Sequence, residues 1–320
     1  MKYSSKNSTT SNRKTELAIA AKNDEAPHAD SCREGFRPLR QEFYFRITGR
    51  KLNLKHLNSE AGKFGNGSVV NRVASVFIHV SDVRRSAVWY SRLLGLPLME
   101  ERLGGGPVYW FDFDDTHLIL DSNRENRKNP AWREEMKPRL MFSSRNIEAA
   151  YSYLELHGEI VQGLERHGDM AFFTFRDPEG NVQMISQAND AGRSEGYPQG
   201  NSPIKPGIGC AFVDVSNMEK TASWYSELLN QPFDPEAAKQ AIYSIPVDRG
   251  AALLLDQNRK LRSELFSEIC CFETDVFTAA LQFAQKHEFQ FAGEPNYFPD
   301  LSEFTLIDPD GNRIVIAQMH

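Results

Sequence analysis

His79 and Asp214 stand at equivalent places near the ends of two similar segments, Val73-Ala-Ser-Val-Phe-Ile-His-Val80 and Ile208-Gly-Cys-Ala-Phe-Val-Asp-Val215. Ala74, Val76, Ile78 and Val80 form one apolar set, as do Gly209, Ala211, Val213 and Val215, while the residues between them are mixed. Such alternation predicts strands with one face on helices and the other on a solvent-accessible concavity. On the second face His79 could bond a ligand or act as a general base near neutral pH, or simply meet solvent at a strand end. Asp214 reads either as its polar counterpart or as a turn residue. Arg139, at the start of a later strand, could pair with a carboxylate or phosphate, or stand as a solvated charge. Cys210 offers a nucleophilic thiol, with packing as the alternative. Tyr109, Trp110 and Phe111, with Phe77 and Phe212, make either an apolar wall that stacks a planar ligand or part of the core.

These residues lie within a tandem repeat. Trp89-Tyr90, Leu93-Leu94 and Pro97 return 135 positions later as Trp224-Tyr225, Leu228-Leu229 and Pro232. Asp121, Asn123 and Arg124 return at the same offset as Asp256, Asn258 and Arg259, and this shared occurrence favours a structural role in a connection. Asp177-Pro-Glu-Gly-Asn181 returns as Asp308-Pro-Asp-Gly-Asn312, now 131 positions on, so about four residues are missing between the two marks. The expected organisation is residues 1–70 as a disordered basic extension, 71–190 and 206–320 as two domains, and 191–205 as a linker.

Residues 1–70 carry a net charge of +6 and the remainder −12. The acidic balance disfavours nucleic-acid binding by the folded part, and the basic arm reads as solvated. Phe43-Tyr-Phe-Arg-Ile47 could form a short strand. No apolar run approaches the roughly 20 residues that span a bilayer, so a cytoplasmic location is the default expectation. The four cysteines contain no Cys-x-x-Cys, and adjacent Cys270 and Cys271 should face opposite sides of a strand. Gly104-Gly105-Gly106 has no Lys-Ser/Thr after it and reads as a hairpin connection rather than a phosphate loop.

Within each copy a strand leads to a helix capped by Asp82 or Asn217, with Gly95 as the first helix's C-cap. Strands near 108–113 and 117–121 follow, then a second strand and helix, then Phe172–Phe175, a turn at Asp177–Asn181 and Val182–Ser186. Pro178 suits a turn's second position and Gly180 a positive φ, so the turn closes a hairpin. His157 and His287 fall at helix ends, where a cation meets the helix dipole.

Trp-Tyr-x-x-Leu-Leu-Gly-Leu-Pro after the first strand and Asp-Pro-x-Gly-Asn before the last resemble the vicinal oxygen chelate superfamily of glyoxalases, bleomycin-resistance proteins and extradiol dioxygenases. The resemblance covers about residues 72–188 and 207–319. It implies an α+β fold of two tandem glyoxalase-like domains, each of two β-α-β-β-β units forming a cupped mixed sheet. It also implies metal ligands, usually His, Glu or Gln, on the first and last strand of each unit. Transferred onto this chain, those positions are Ser75, about Leu120, about Arg139 and Met184 in the first copy. In the second they are Cys210, about Leu255, Glu268 or Ile269, and Val315.

Leu, Met and Val lack hard donor atoms and a guanidinium does not deprotonate to bind metal. The expected function is therefore metal-independent binding of a small organic molecule, with no cofactor. The ligand-binding set is Ser75, Phe77, His79, Tyr109, Trp110, Arg139, Met184, Cys210, Phe212 and Asp214, with His79 as the candidate base. The alternative is a metal-dependent lyase, isomerase or extradiol-type dioxygenase that holds one Fe, Mn, Ni or Zn ion, with Glu268 as a candidate ligand. A non-catalytic scaffold that binds another protein is the third reading. Two copies in one chain make a pseudo-dimer, so a monomer suffices.

Overall fold

The computed structural model describes residues 67–188, 200–261 and 268–320. The extension, its Phe43–Ile47 segment and most of the expected linker lie outside the described residues. The second copy's first strand begins at Ile204, before the expected domain start.

The first copy comprises β1 (Val69–His79), α1 (Val83–Leu94), β2 (Val108–Phe111), β3 (His117–Asp121), β4 (Leu140–Ser144), α2 (Ile147–His157), β5 (Glu159–His167), β6 (Met170–Arg176) and β7 (Val182–Ala188). The second comprises β8 (Ile204–Asp214), α3 (Met218–Leu228), β9 (Ile242–Ile245), β10 (Ala252–Asp256), α4 (Asn258–Leu261), β11 (Glu268–Thr274), α5 (Phe277–Lys286), β12 (Gln290–Phe291), β13 (Asn296–Tyr297), β14 (Leu301–Ile307) and β15 (Arg313–Met319). Each copy is one continuous mixed sheet. The orders are β2-β3-β1-β4-β7-β6-β5 and β12-β14-β15-β11-β8-β10-β9, with β13 added beside β14. The first strands of the two units, β1 with β4 and β8 with β11, meet antiparallel at the centre. Within each copy, the first unit contributes three strands. In the first copy a 3-10 turn at Glu100–Leu103 precedes β2.

The caps form as their chemistry dictates. Asp82 accepts from the Arg85 amide at 3.0 Å, and Asn217 from the Lys220 amide at 3.1 Å. Gly95 closes α1 at φ 65°, where a Cβ would also lie 2.4 Å from the Ser202 nitrogen. Gly180 and Gly311 take φ of 85° and 87° in the two hairpin turns.

One hydrophobic core runs through both copies. It takes Val76, Ile78, Leu118, Leu120, Leu140, Phe142 and Ile185 from the first sheet, and Ala211, Val213, Leu253, Leu255, Cys270 and Phe272 from the second. The faces are assigned by alternation, so the intervening residues lie on the other, concave side.

The two repeat motifs meet across the copies. Tyr90 of the first Trp-Tyr pair donates its hydroxyl to Asp308 at 3.0 Å, and Tyr225 of the second donates to Asp177 at 2.9 Å. Asn312 donates to the His79 carbonyl and Asn181 to the Asp214 carbonyl, both at 3.1 Å. Glu179 accepts from the Ser216 and Thr221 hydroxyls, as Asp310 does from those of Ser81 and Ser86. Each Asp-Pro-x-Gly-Asn hairpin thus latches the start of the other copy's helix. Trp89 packs edge-on against Phe289 at 5.2 Å, and Trp224 donates to the His157 carbonyl while tilting over Phe175, so both indoles are seam packing. Among the described residues, no helix is long and apolar enough to cross a membrane.

Candidate functional site

Sheet register fixes which side chains share the concave face. In the first copy Ser75 lies opposite His117 on one side and Met141 on the other, and Met141 lies opposite Met184. The row His117–Ser75–Met141–Met184 therefore crosses the sheet, one residue from the last or first strand of each unit. In the second copy the same construction gives Ala252–Cys210–Cys271–Val315.

These rows correct several expectations. Leu120 and Leu255 point into the shared core, because β3 and β10 alternate and place His117 and Ala252 on the concave side instead. Met141, not Arg139, stands opposite Ser75. Cys271 stands opposite Cys210, so neither Glu268 nor Ile269 belongs to the row, and Glu268 pairs in register with Arg313. Tyr109 faces the core, fully buried, and its hydroxyl accepts from the Met99 amide at 3.0 Å. Trp110 is on the concave side and 38% exposed.

His79 has both ring nitrogens engaged. Nε2 donates to the Pro138 carbonyl at 2.7 Å, and Nδ1 accepts from the Asn123 amide group at 2.8 Å. Burial is the largest influence on this imidazole and lowers its pKa to about 4, against the raising effect of the Pro138 bond. A neutral ring with no spare nitrogen holds β1 to the following loops and has no lone pair for a general base. Asn123, at φ 54°, is itself held by Asp121, which accepts its amide at 2.7 Å, and Asp256 holds Asn258 in the same way. The Asp-x-Asn repeat is thus a structural turn.

Arg139 and Asp214 are consumed by each other across the copies. Arg139 donates to Asp214 at 2.6 Å and Arg259 approaches the other carboxylate oxygen at 2.9 Å. Burial alone would raise the Asp214 pKa, but the two guanidinium groups outweigh it and hold the carboxyl below its ordinary range.

What remains on the first concave face is an amphipathic surface that runs from buried Ser75 and Phe77 to partly exposed Trp110. Phe77, Ile119 and Trp110 make one end, with Phe77 stacked parallel to His79 at 6.2 Å between centroids. Met141 and Met184 are half-buried in the middle. At the other end the Arg72 guanidinium donates to Ser143 at 3.0 Å, and Ser143 lies opposite Ser186. Ser75 is fully buried, and among the described residues its hydroxyl has no hydrogen-bond partner. His117 is backed by Asp112, whose Oδ1 lies 4.0 Å from Nδ1, and Arg102 holds Asp112 at 2.6 Å while lying 4.7 Å over the Trp110 ring. Nδ1 is buried while the side chain is 38% exposed, so the opposite edge of the imidazole faces solvent. Burial lowers the His117 pKa, with Asp112 opposing and Arg72 reinforcing the effect, so the ring is neutral near pH 7. Sequence reasoning missed Arg72, His117, Met141 and Ser143. The alternation within His117-Leu-Ile-Leu-Asp121 was the available signal for His117.

The second concave face is filled. Cys210, Phe212, Leu254, Cys271, Leu301, Val315 and Ala317 form a separate buried apolar cluster, with Phe298 and Met319 against it. Position by position, Met184 becomes Val315, Ile119 becomes Leu254, His117 becomes Ala252 and Arg72 becomes Gly207.

Neither row fits a hard divalent cation. The first offers one imidazole nitrogen, a hydroxyl and two thioethers, with no anionic oxygen. The second offers two thiols between Ala252 and Val315, and Cys271 is pushed well above the ordinary thiol range by its hydrogen bond with Cys210 and by burial. Among the described residues no three His, Cys, Asp or Glu side chains gather as a ligand set. A separate open groove of about 590 Å³ runs past His157, Arg176 and Lys220 to Trp224. Its Asp177 and Glu179 carboxylates already serve the latch, so it marks the seam between the copies.

No curated protein matches the chain. Among solved structures, homoprotocatechuate 2,3-dioxygenase from Arthrobacter globiformis is similar over 81% of this chain and 82% of its own, with 13% identity and a TM-score of 0.50. A catechol 2,3-dioxygenase aligns over 78% of this chain and 88% of its own, with 10% identity and a TM-score of 0.48. The Mn(II)-bound glyoxalase from Novosphingobium aromaticivorans aligns over 78% and 83%, with 12% identity and a TM-score of 0.47. At 13% identity the first of these likenesses concerns the fold alone. The family model for the Glyoxalase/Bleomycin resistance protein/Dioxygenase superfamily matches residues 71–185, which span the first sheet almost end to end. The chain therefore carries a domain of that superfamily, followed by a second sheet of the same architecture.

Proposed function

We propose that the first cup binds a small, planar organic anion without chelating a divalent metal. The observation that carries this reading is the row His117–Ser75–Met141–Met184, which lacks an anionic donor and lies between an aromatic end and Arg72. Phe77, Ile119 and Trp110 suit a flat apolar body, and the methionines supply a polarisable, adaptable floor. Arg72, Ser143 and neutral His117 suit a carboxylate or comparable oxyanion at the ligand's other end.

The test is a panel of aromatic carboxylates titrated against tryptophan fluorescence, with and without Mn(II), Fe(II), Ni(II) and Zn(II). Saturable quenching that is metal-indifferent and weakened at least tenfold in Arg72→Gln and Trp110→Leu supports the reading. Binding that appears only with a divalent ion overturns it. That second outcome belongs to the metal-dependent lyase, isomerase or dioxygenase reading, which His117 favours as the one nitrogen donor of the row.

A further inference from the structure

We propose that Cys210 and Cys271 form an oxidisable dithiol that closes to a disulfide across the centre of the second sheet. The two residues are direct register partners on antiparallel β8 and β11, and both side chains turn to the concave face. Both are free thiols, 4% and 3% exposed. They hydrogen-bond each other, and the Cys271 thiol also donates to the Phe272 carbonyl at 3.3 Å. Directly opposed cross-strand Cβ atoms lie about 4.5–5.5 Å apart, so closure to the roughly 3.5–4.5 Å of a disulfide draws the two strands together by about 1 Å.

The surroundings select the product. Phe212, Leu254, Leu301, Val315 and Ala317 line the pair, and the Glu273 and Glu303 carboxylates, both in register with Ala317, oppose a negative charge on Cys271, so a thiolate is costly there. A disulfide removes both protons and leaves a neutral, apolar link that the same wall accommodates. Cys270 has no part in it, since it is buried in the main core on the opposite face of β11.

The oxidant must be small and uncharged to reach the pair, and hydrogen peroxide meets both conditions. One sulfur, giving up its proton, attacks a peroxide oxygen: an S–O bond forms, the O–O bond breaks and water leaves. The second sulfur then attacks the first, the S–O bond breaks, and the hydroxyl departs with the second thiol's proton as another water. Two thiols are oxidised and one peroxide is reduced to two waters. The raised pKa of the Cys271 thiol slows its part in the reaction.

The experiment treats the folded full chain with hydrogen peroxide at neutral pH, blocks remaining thiols, and maps peptides without reduction. A Cys210–Cys271 linked peptide is expected, lighter by two hydrogens than the sum of its parts and lost on reduction with dithiothreitol. The same link should form in Cys270→Ser, and the melting temperature of the oxidised chain should rise in wild type but not in Cys210→Ala. If the folded chain yields no such peptide while the urea-unfolded chain does, or links Cys270 to Cys271 instead, the proposal is wrong.

Discussion

Lowering the pH should destabilise this protein in part through one buried side chain, His79. In the folded chain its imidazole is buried and neutral, with a pKa of about 4, against the ordinary 6.5 that it regains on unfolding. Between those values the unfolded chain takes up a proton that the folded chain refuses, so stability falls as pH falls. The loss begins near pH 6.5 and is complete below about pH 4. At about 1.4 kcal/mol per pH unit, the full gap is worth about 3 kcal/mol, and the part expressed between pH 8 and pH 5 is about 2 kcal/mol.

Urea denaturation at pH 8 and pH 5 measures it, on wild type and on His79→Gln. Glutamine retains an amide donor for the Pro138 carbonyl and does not titrate, so it costs stability at both pH values but removes the slope. Carboxylates and the other histidines titrate in both proteins and cancel in the comparison. The expected result is a pH-dependent loss about 2 kcal/mol larger in wild type than in the variant. Equal losses within about 0.5 kcal/mol would refute the buried neutral imidazole and reopen His79 as a titrating group.

Three further outcomes follow from the seam and the turns. Tyr90→Phe removes one bond to Asp308, whereas Tyr225→Phe removes the bond to Asp177 and the one received from Gln183, so the first should cost about 1–2 kcal/mol and the second more, by thermal or urea denaturation. Asp214→Asn takes the shared anion from Arg139 and Arg259 and should cost about 2 kcal/mol near pH 7. In wild type that contribution persists down to the ordinary carboxylate range and is lost only as pH falls below it, so acid titration of both proteins should converge there. Gly95→Ala combines a left-handed φ with a Cβ driven into the backbone at Asn201 and Ser202, while Gly105→Ala meets open space at φ 92°; about 3 kcal/mol is expected for the first and about 1 for the second.

The fold was legible because the chain states it twice. Caps, alternation and the Asp-Pro-x-Gly-Asn turn are local signals, and each recurs at a fixed offset, so Asp82 and Asn217 or Gly180 and Gly311 corroborate each other. The residues of the concave face were less legible, since they depend on register between strands distant in sequence. Leu120 and Leu255 were drawn from the strand ends, whereas alternation places them in the core and exposes His117 and Ala252. Cys271 was missed because the offset between the copies changes from 135 to about 130 before β11. The latch was not visible at all. Tyr90 and Tyr225 keep helical spacing whether or not a partner exists, and only the tertiary fold shows that each one's partner is the other copy's aspartate.

That reciprocity explains why an apolar, filled concave face persists beside an amphipathic one. The second sheet has replaced each polar or flexible group of the concave row with a small or apolar one, and its Leu301, Phe298 and Met319 complete the filling. Yet the first cup depends on it. Asp310 binds Ser81, Arg85 and Ser86 at the start of α1, Asn312 holds the carbonyl of His79, and Asp308 anchors Tyr90, all from the hairpin between β14 and β15. These contacts fix the end of β1, the strand that carries Ser75, Phe77 and His79. Losing the second copy would leave Tyr90, fully buried, without its acceptor and would expose the apolar face of the first sheet, so selection on the first cup alone suffices to keep the second sheet folded. Core residues and latch carboxylates in the second copy should therefore tolerate substitution poorly, while its concave row needs only to stay apolar.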